Sequence, residues 1–255
     1  MFHAFQTNSG EHRWANEIEA LFRYEYAAEN LSGKLAEARC ICEALESGSR
    51  GACQELLRLR KARAERYPYE YDYEARVEQV EGSAEFVEIR ALSQLSPEKG
   101  EAAWRKVLDQ IADPANYFPI RPICYKVGAA VLACMKSAGA DFTGFSDRPF
   151  ACAMLDGVTA GGESVPELPE AAAFIGRYRA QTRRIIRAAL EKGDCILKGE
   201  YPLLDLNIWD ARREGQYFTS SCFLEYKDGA ESRVLHGDFV LEVDEGNNIL
   251  AVWRQ

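Results

Sequence analysis

Three segments near the C-terminus decide the fold class: residues 216–226 (QYFTSSCFLEY), 233–243 (RVLHGDFVLEV) and 248–254 (NILAVWR). Apolar and polar residues alternate along each of them, which is typical of a β-strand with one buried face. Short sequences rich in Gly, Asp and Asn separate them, and such sequences favour turns. Residues 203–211 (LLDLNIWDA) show the same alternation. The C-terminal region is therefore predicted to form an antiparallel meander of three or four strands.

The first 112 residues show a helical pattern instead. Apolar residues recur every three or four positions along residues 12–31, which predicts one helix with a single buried face. That face comprises Trp14, Ile18, Leu21, Phe22 and Tyr26. Further short helices are predicted over residues 32–45 and 52–67, and a buried helix over residues 123–139 is expected to end near its glycine.

Residues 67–76 (YPYEYDYEAR) fit two different secondary structures. In an extended chain the four tyrosines share one face, whereas a helix from Asp72 gives an apolar stripe with steps of four and three residues. The stripe comprises Tyr73, Val77, Val80, Ala84, Val87 and Ala91. Because the residue before a proline avoids helical geometry, we expect extended chain from Tyr67 to Tyr71, followed by a helix that Asp72 caps. A β-hairpin over residues 67–92 stays the alternative.

The predicted fold class is α+β, with a mainly helical N-terminal portion and a C-terminal antiparallel β-meander. Residues 1–140 form the helical portion in this prediction. Residues 141–168 form a loop-rich connection, because Gly, Asp, Ser and Pro are frequent there. Residues 169–255 form a charged helix followed by the meander. The alternative is one continuous domain.

The charge of the chain limits its partners. Its formal charge is −9 and its pI is about 5.1, which disfavours nucleic acid as a partner and favours a basic protein. No long apolar run or signal-peptide pattern is present, so no membrane association is expected. The eight cysteines are spread over a chain long enough to build its own core, which favours reduced thiols and a cytoplasmic location. Neither a metal nor a cofactor is predicted.

The alternation along the predicted strands separates a core face from a polar face. Cys222 shares its face with Phe218 and Leu224, so its thiol is expected to be buried and unreactive. The opposite face carries His236 and Asp238, a pair suited to acid–base catalysis. Its expected substrate contacts are Asp205, Ser221 and Glu225.

We expect a non-enzymatic intracellular protein that binds another protein through an acidic and aromatic surface, in the manner of an immunity protein or an adaptor. The expected interaction residues are Tyr67, Tyr69 and Tyr71. The alternative is a small-molecule enzyme or ligand-binding domain that uses the polar sheet face, so the sequence leaves open whether the chain is an enzyme. Two basic segments, residues 58–66 and 177–187, are expected to be solvated helix faces that pair with the chain's own acidic residues.

Overall fold

The computed structural model describes residues 2–140, 147–159 and 168–255, and the chain divides into two units. Unit 1 comprises Met1–Asn16 and Tyr24–Ala172, and unit 2 comprises Glu17–Arg23 and Ala173–Gln255. The α+β prediction is confirmed, because the N-terminal part of the chain is helical and the C-terminal part forms an antiparallel sheet.

Unit 1 is helical. Its helices are α1 (Phe2–Asn8), α3 (Ala28–Ser47), α4 (Arg50–Arg66), α5 (Pro68–Val77), α6 (Ser83–Leu95), α7 (Pro97–Ala112), α8 (Ile120–Ser137) and α9 (Phe150–Ala153), whereas α2 (Glu17–Arg23) belongs to unit 2. A π-helical turn (Glu78–Gly82) joins α5 to α6, and a 3₁₀ turn (Pro114–Tyr117) precedes α8. Helix α8 is central, since it packs against α3, α5, α6 and α7. The predicted buried helix over residues 123–139 is thereby confirmed.

Two glycines set the contact between α8 and the π-helical turn. A Cβ atom on Gly128 would lie 2.9 Å from the Cα atoms of both Glu78 and Gly82. One on Gly82 would lie 2.7 Å from the Cα atom of Gly128. The two backbones can approach this closely because neither glycine has a side chain. The contact holds the backbone of Glu78 against the central helix.

The tyrosine-rich segment is helical, so the expected extended stretch from Tyr67 to Tyr71 is wrong. Helix α5 begins at Pro68, so of the residues expected to be extended only Tyr67, with φ −129°, lies outside the helix. Proline suits the first helical position because its missing N–H would have no partner there. The alternative hairpin over residues 67–92 is also excluded, since α5, the π-helical turn and α6 follow one another without a strand.

The π-helical turn changes which residues of α6 face the core. Tyr73, Val77 and Val80 are buried as predicted, but Val87 is 40% exposed. A π-helical turn inserts about one extra residue, which rotates the following helix by about 100°. Ile89 is buried in place of Val87.

The single helix predicted over residues 12–31 is two helices. Helix α2 ends at Arg23, and α3 starts at Ala28. In unit 2, three residues of α2 pack against the core of the sheet: Ile18, Leu21 and Phe22. In unit 1, the hydroxyl of Tyr26 accepts a hydrogen bond from Ile120 N at 3.1 Å. The spacing of these apolar residues predicts one buried face, but the residues belong to two different units.

Unit 2 consists of α2, most of α10 (Pro169–Lys192) and a seven-stranded antiparallel sheet. The strands are β1 (Cys195–Leu206), β2 (Arg212–Glu214), β3 (Tyr217–Ser220), β4 (Phe223–Asp228), β5 (Glu231–His236), β6 (Phe239–Val243) and β7 (Asn248–Arg254). Their order is β2-β3-β6-β7-β1-β4-β5. The meander predicted from the sequence is therefore present, with more strands than expected.

The sheet curls around one core. The long strand β1 pairs with β7 through its first part and with β4 through its last part. Strand β3 pairs with β6, whereas β4, which follows β3 in the chain, pairs with β1 near the other end of the strand order. The sheet must therefore curl so that its two ends approach each other. The enclosed core is apolar and includes Leu206, Phe218, Leu224, Phe239, Leu241 and Ile249.

Two of the predicted strands, over residues 216–226 and 233–243, are each interrupted by a bend, and the two bends lie next to each other. Ser221 and Cys222 separate β3 from β4, and Gly237 and Asp238 separate β5 from β6. Gly237 N donates to Cys222 O at 3.0 Å, which holds the two bends together. Cys222 has a φ of 67° and an exposed thiol. The prediction of a buried Cys222 is wrong, because the bend takes the residue out of the strand alternation.

Part of the predicted connection over residues 141–168 lies outside the described residues, namely 141–146 and 160–167. Its described part contains α9 and turns. Among the helices of the described residues, none combines the length and apolar character that crossing a bilayer requires.

Candidate functional site

Three residues form a row across the outer face of β1, β4 and β5 in unit 2. Asp205 of β1 is paired with Glu225 of β4, and Glu225 is paired with Val234 of β5. The adjacent row begins with Leu206 and Leu224, which are buried in the core. Because successive residues of a strand point to opposite faces, the row of Asp205, Glu225 and Val234 points away from that core. We call it the outer row.

Two like charges of the outer row lie opposite each other. The Asp205 carboxylate accepts a hydrogen bond from Leu206 N at 2.8 Å, and the Glu225 carboxylate accepts one from the Ser232 hydroxyl. Neither carboxylate makes an ion pair with any residue that the structure describes. Like charges directly opposite in an antiparallel pair are destabilising. A cation supplied from outside the chain would relieve this repulsion.

Strand β5 is an edge of the sheet, and its ladder shows which backbone groups point outward. Gly237 N donates to Cys222 O, and the β4–β5 register is regular. In an antiparallel pair the N–H groups alternate between the partner strand and the outside. The N–H groups of Arg233 and Leu235 therefore face β4. Those that point away from the sheet belong to Ser232, Val234 and His236.

Unit 2 also exposes large apolar side chains. Val234 is 48% exposed, and Leu204, at an irregularity of β1, is 41% exposed. Trp209, in the turn after β1, is 52% exposed. An edge strand with outward-pointing backbone groups can pair with an extended peptide, and the side chains around it then contribute specificity.

The predicted catalytic pair does not form an enclosed site. His236 is exposed at the end of β5, and Asp238 is exposed in the following bend. The Asp238 carboxylate accepts a hydrogen bond from Cys222 N at 3.2 Å. Among the described residues, no hydrogen bond joins the His236 ring to a carboxylate. Ser221 lies in the first bend, where its hydroxyl accepts from Asn207 Nδ2 at 2.8 Å.

The predicted interaction tyrosines do not share a face, because residues two apart on a helix point in different directions. Tyr71 is buried, and its hydroxyl donates to Ala151 O at 2.7 Å. Tyr67 is half-buried, and its hydroxyl donates to Glu29 Oε2 at 2.8 Å. Tyr69 is also half-buried. Their role in binding stays a prediction.

A second concentration of polar chemistry lies inside unit 1, and we call it the ionic core. It combines three cations with three carboxylates, and all six side chains are buried. They are Lys34, Glu37, Arg60, Arg63, Glu74 and Glu78. Residues three or four positions apart lie on one helix face, so α3, α4 and the α5–π segment each direct charges inward.

Arg63 is the most connected residue of the ionic core. Its Nε donates to Glu37 Oε1 at 2.5 Å, and its Nη2 donates to Glu74 Oε2 at 2.8 Å. Lys34 Nζ donates to the same Glu74 oxygen at 2.5 Å. Arg60 donates from Nη2 to Glu78 Oε2 at 2.5 Å. Each buried charge therefore has an opposite charge in contact, as burial requires.

The two carboxylates of the α5–π segment titrate in opposite directions. Burial alone would raise the pKa of Glu74, but the charges and hydrogen bonds of Arg63 and Lys34 hold it well below its usual value. Burial raises the pKa of Glu78, and the charge of Arg60 only partly offsets it. Glu78 Oε1 is buried and accepts no hydrogen bond within the described part of the chain. Glu74 is thus the better stabilised anion.

The ionic core corrects the prediction that the basic residues of α4 are solvated. Arg58 and Arg66 are exposed and pair with surface glutamates, but Arg60 and Arg63 are buried. The spacing in the sequence indicates this burial, because Arg60 and Arg63 follow the buried Leu56 at steps of four and three residues. Residues at such steps share one face of a helix. No described cluster of His, Cys, Asp and Glu is arranged to hold a metal ion. The ion pairs of the ionic core connect α3, α4 and the α5–π segment inside unit 1.

The chain was compared with known proteins. No protein-family model matches it, and neither a curated protein nor a solved structure does.

Proposed function

We propose that the chain is a protein-binding module of the immunity or adaptor type, and that β5 pairs with an extended, basic segment of its partner. The observation that carries this proposal is the opposition of Asp205 and Glu225, two carboxylates without an ion pair among the described residues, beside an open sheet edge. A strand added to β5 would bond the outward groups of Val234 and His236. A lysine or arginine on that strand, next to Val234, would extend its long side chain over Val234 toward the Glu225 carboxylate.

The proposal keeps the acidic and aromatic surface expected from the sequence but moves it to unit 2. Its aromatic member is Trp209, and its apolar members are Leu204 and Val234. An intracellular, reducing location is part of the proposal, and it is supported by the eight cysteines, which are all free thiols. Catalysis by His236 and Asp238 is not proposed, because the described geometry gives this exposed pair neither a mutual hydrogen bond nor an enclosing wall.

The test is a selection of extended peptides. A library of random ten-residue peptides is displayed and selected on the immobilised full chain, and the dissociation constants of enriched peptides are measured on four proteins. They are the wild type, the double variant Asp205→Asn/Glu225→Gln, Val234→Pro and Val234→Thr.

Val234→Pro removes an N–H that points away from β4, so the sheet retains its own ladder while the added strand loses a hydrogen bond. Val234→Thr keeps that N–H and is the matched control. We expect enriched peptides to alternate apolar residues with lysine or arginine. Their binding should weaken about tenfold or more in the proline and double variants and change little in the threonine variant. Selection of acidic peptides, or equal binding to all four proteins, would refute the proposal.

A further inference from the structure

A cleft in unit 1 lies between α6, α7 and α8 and has a volume of about 370 Å³. This volume is within the range of small-molecule sites. Its chemically informative lining residues are Phe86, Arg90, Trp104, Leu108, Lys136 and Ser137. The cleft is separate from the ionic core, none of whose charged residues lines it.

Two aromatic rings form adjoining walls of the cleft. The ring centroids of Phe86 and Trp104 are 6.3 Å apart, and the ring planes are inclined by 60°. Both side chains are half-buried, so each leaves part of its ring accessible. A flat apolar group placed in the angle would contact the face of one ring and the edge of the other, which is a favourable aromatic geometry. Leu108 extends this apolar surface.

The polar groups of the cleft are hydrogen-bond donors. Arg90 and Lys136 are exposed, and neither forms an ion pair with a described carboxylate. Lys136 Nζ lies over the Phe86 ring, 5.9 Å from its centroid, so this cation contacts an aromatic wall of the cleft. The indole N–H of Trp104 donates to no described residue. A donor-rich site attracts an acceptor, and two cations attract an anion.

The charged side chains among the described lining residues of the cleft are all positive, because none of these residues is acidic. The chain has 40 Asp and Glu residues against 31 Lys and Arg residues, yet none of the described lining residues is acidic. Elsewhere in unit 1, surface cations are commonly paired; Arg105 donates to Glu101 and Lys126 to Glu85. The cleft therefore combines an aromatic angle with two unpaired cations in an otherwise acidic chain.

From this combination we propose that the cleft binds a planar aromatic anion, whose ring contacts Phe86 and Trp104 and whose carboxylate or phosphate binds Arg90 and Lys136. This site is independent of the peptide-binding function proposed for unit 2. Its ligand is defined by two requirements that can be tested separately: the flat ring and the negative charge.

The test uses isothermal titration calorimetry with the full chain and four probes: 2-naphthoate, 2-naphthyl phosphate, neutral 2-naphthamide and cyclohexanecarboxylate. We expect one or both naphthyl anions to bind with a stoichiometry of one. We expect 2-naphthamide, which lacks the charge, and cyclohexanecarboxylate, which lacks the flat ring, to bind about tenfold or more weakly. The comparison of the first two probes shows whether a carboxylate or a phosphate is preferred.

The variants Arg90→Gln and Lys136→Gln locate the binding site, and because both residues are exposed the fold should tolerate them. Each should weaken 2-naphthoate or 2-naphthyl phosphate about tenfold. Lys106→Gln is the matched control, since Lys106 is an exposed cation of α7 that does not line the cleft. Failure of both naphthyl anions to bind, binding of 2-naphthamide with equal affinity, or an equal effect of Lys106→Gln would overturn the proposal.

Discussion

Asp205 of β1 lies directly opposite Glu225 of β4, and the structure provides no ion-pair partner for either carboxylate among the described residues. A chain selected only for stability would gain from a neutral or basic residue at one of these positions, because like charges across a strand pair repel. The arrangement therefore has a local cost in stability, which the proposed binding of a basic segment on the outer face would offset.

Replacement of Asp205 by Asn should stabilise the free protein while it weakens peptide binding. The expected gain in the free energy of unfolding is about 0.2–1 kcal/mol, the range for cross-strand pairs, and it should shrink in 1 M salt because salt screens exposed charges. Urea unfolding, followed by the amide resonances of β1 and β4, measures the gain. Asp244→Asn is the control and should destabilise, because an amide N–H2 in place of Asp244 Oδ2 cannot accept the hydrogen bond that Asn248 Nδ2 donates at 3.1 Å. The loss of charge also weakens the bonds that Asp244 Oδ1 accepts from Gly246 N and Asn248 N. A loss of stability in Asp205→Asn would show that the opposition is not repulsive.

Removal of the Glu74 charge should strongly destabilise unit 1. Glu74→Gln leaves Lys34 and Arg63 with less negative charge in a buried environment, and loss of one partner of a buried pair costs about 3–5 kcal/mol. Glu101→Gln is the control: its partner Arg105 is exposed, and such surface pairs contribute about 0–1 kcal/mol. Urea midpoints followed by helical circular dichroism compare the two variants. Similar effects of both substitutions would contradict the ionic core as a determinant of packing.

The same core predicts opposite pH effects for two glutamates. The pKa of Glu74 is lowered in the folded state, so its contribution is complete above the unfolded pKa of about 4.5 and is lost as the pH falls further. The pKa of Glu78 is raised, so its contribution is largest below the unfolded pKa and decreases as the pH rises through the folded value.

Unfolding free energies at pH 7, 5.5 and 4 test these signs. The destabilisation caused by Glu74→Gln should shrink at the lowest pH. In contrast, the wild type should gain stability relative to Glu78→Gln as the pH falls from 7 toward 4, because the raised pKa lets the buried Glu78 carboxyl take up its proton above the unfolded pKa. Parallel pH curves for the wild type and Glu78→Gln would contradict the raised pKa of Glu78.

Close packing at Gly128 should make this position intolerant of even one methyl group. Gly128→Ala would place a Cβ atom 2.9 Å from the backbone of the π-helical turn, and overpacking of this kind costs about 1–3 kcal/mol. Gly51→Ala is the matched control in the same unit, because its Cβ atom would meet only Ser49 Oγ at 3.7 Å; it should be neutral or stabilising by up to about 1 kcal/mol. Thermal unfolding of the two variants measures the difference.

The period of apolar residues predicted the helical N-terminal part, the buried helix α8 and the strands of the C-terminal sheet. The same period could not predict that Val87 is exposed, because a single extra residue in the π-helical turn rotates the following helix. It also could not show that Leu21 and Tyr26 belong to different units, since spacing along the chain does not identify the partner of an apolar face.

The candidate site was partly predictable for a similar reason. Alternation placed Asp205 and Glu225 on the outer face, but their direct opposition depends on the register between β1 and β4, which the sequence does not specify. Cys222 was misplaced because the bend at this residue interrupts the alternation. The buried charges of Arg60 and Arg63 were missed because a basic run on a helix usually faces solvent, whereas here tertiary packing encloses part of it.

The most direct test of strand addition at β5 is amide hydrogen exchange, measured by NMR with and without a peptide enriched on the wild-type chain. We predict that the peptide slows exchange at Val234 and His236, whose N–H groups point outward, while Arg233 and Leu235, already bonded to β4, change little. Protection confined to residues outside β5, with exchange at Val234 and His236 unchanged by bound peptide, would contradict the account.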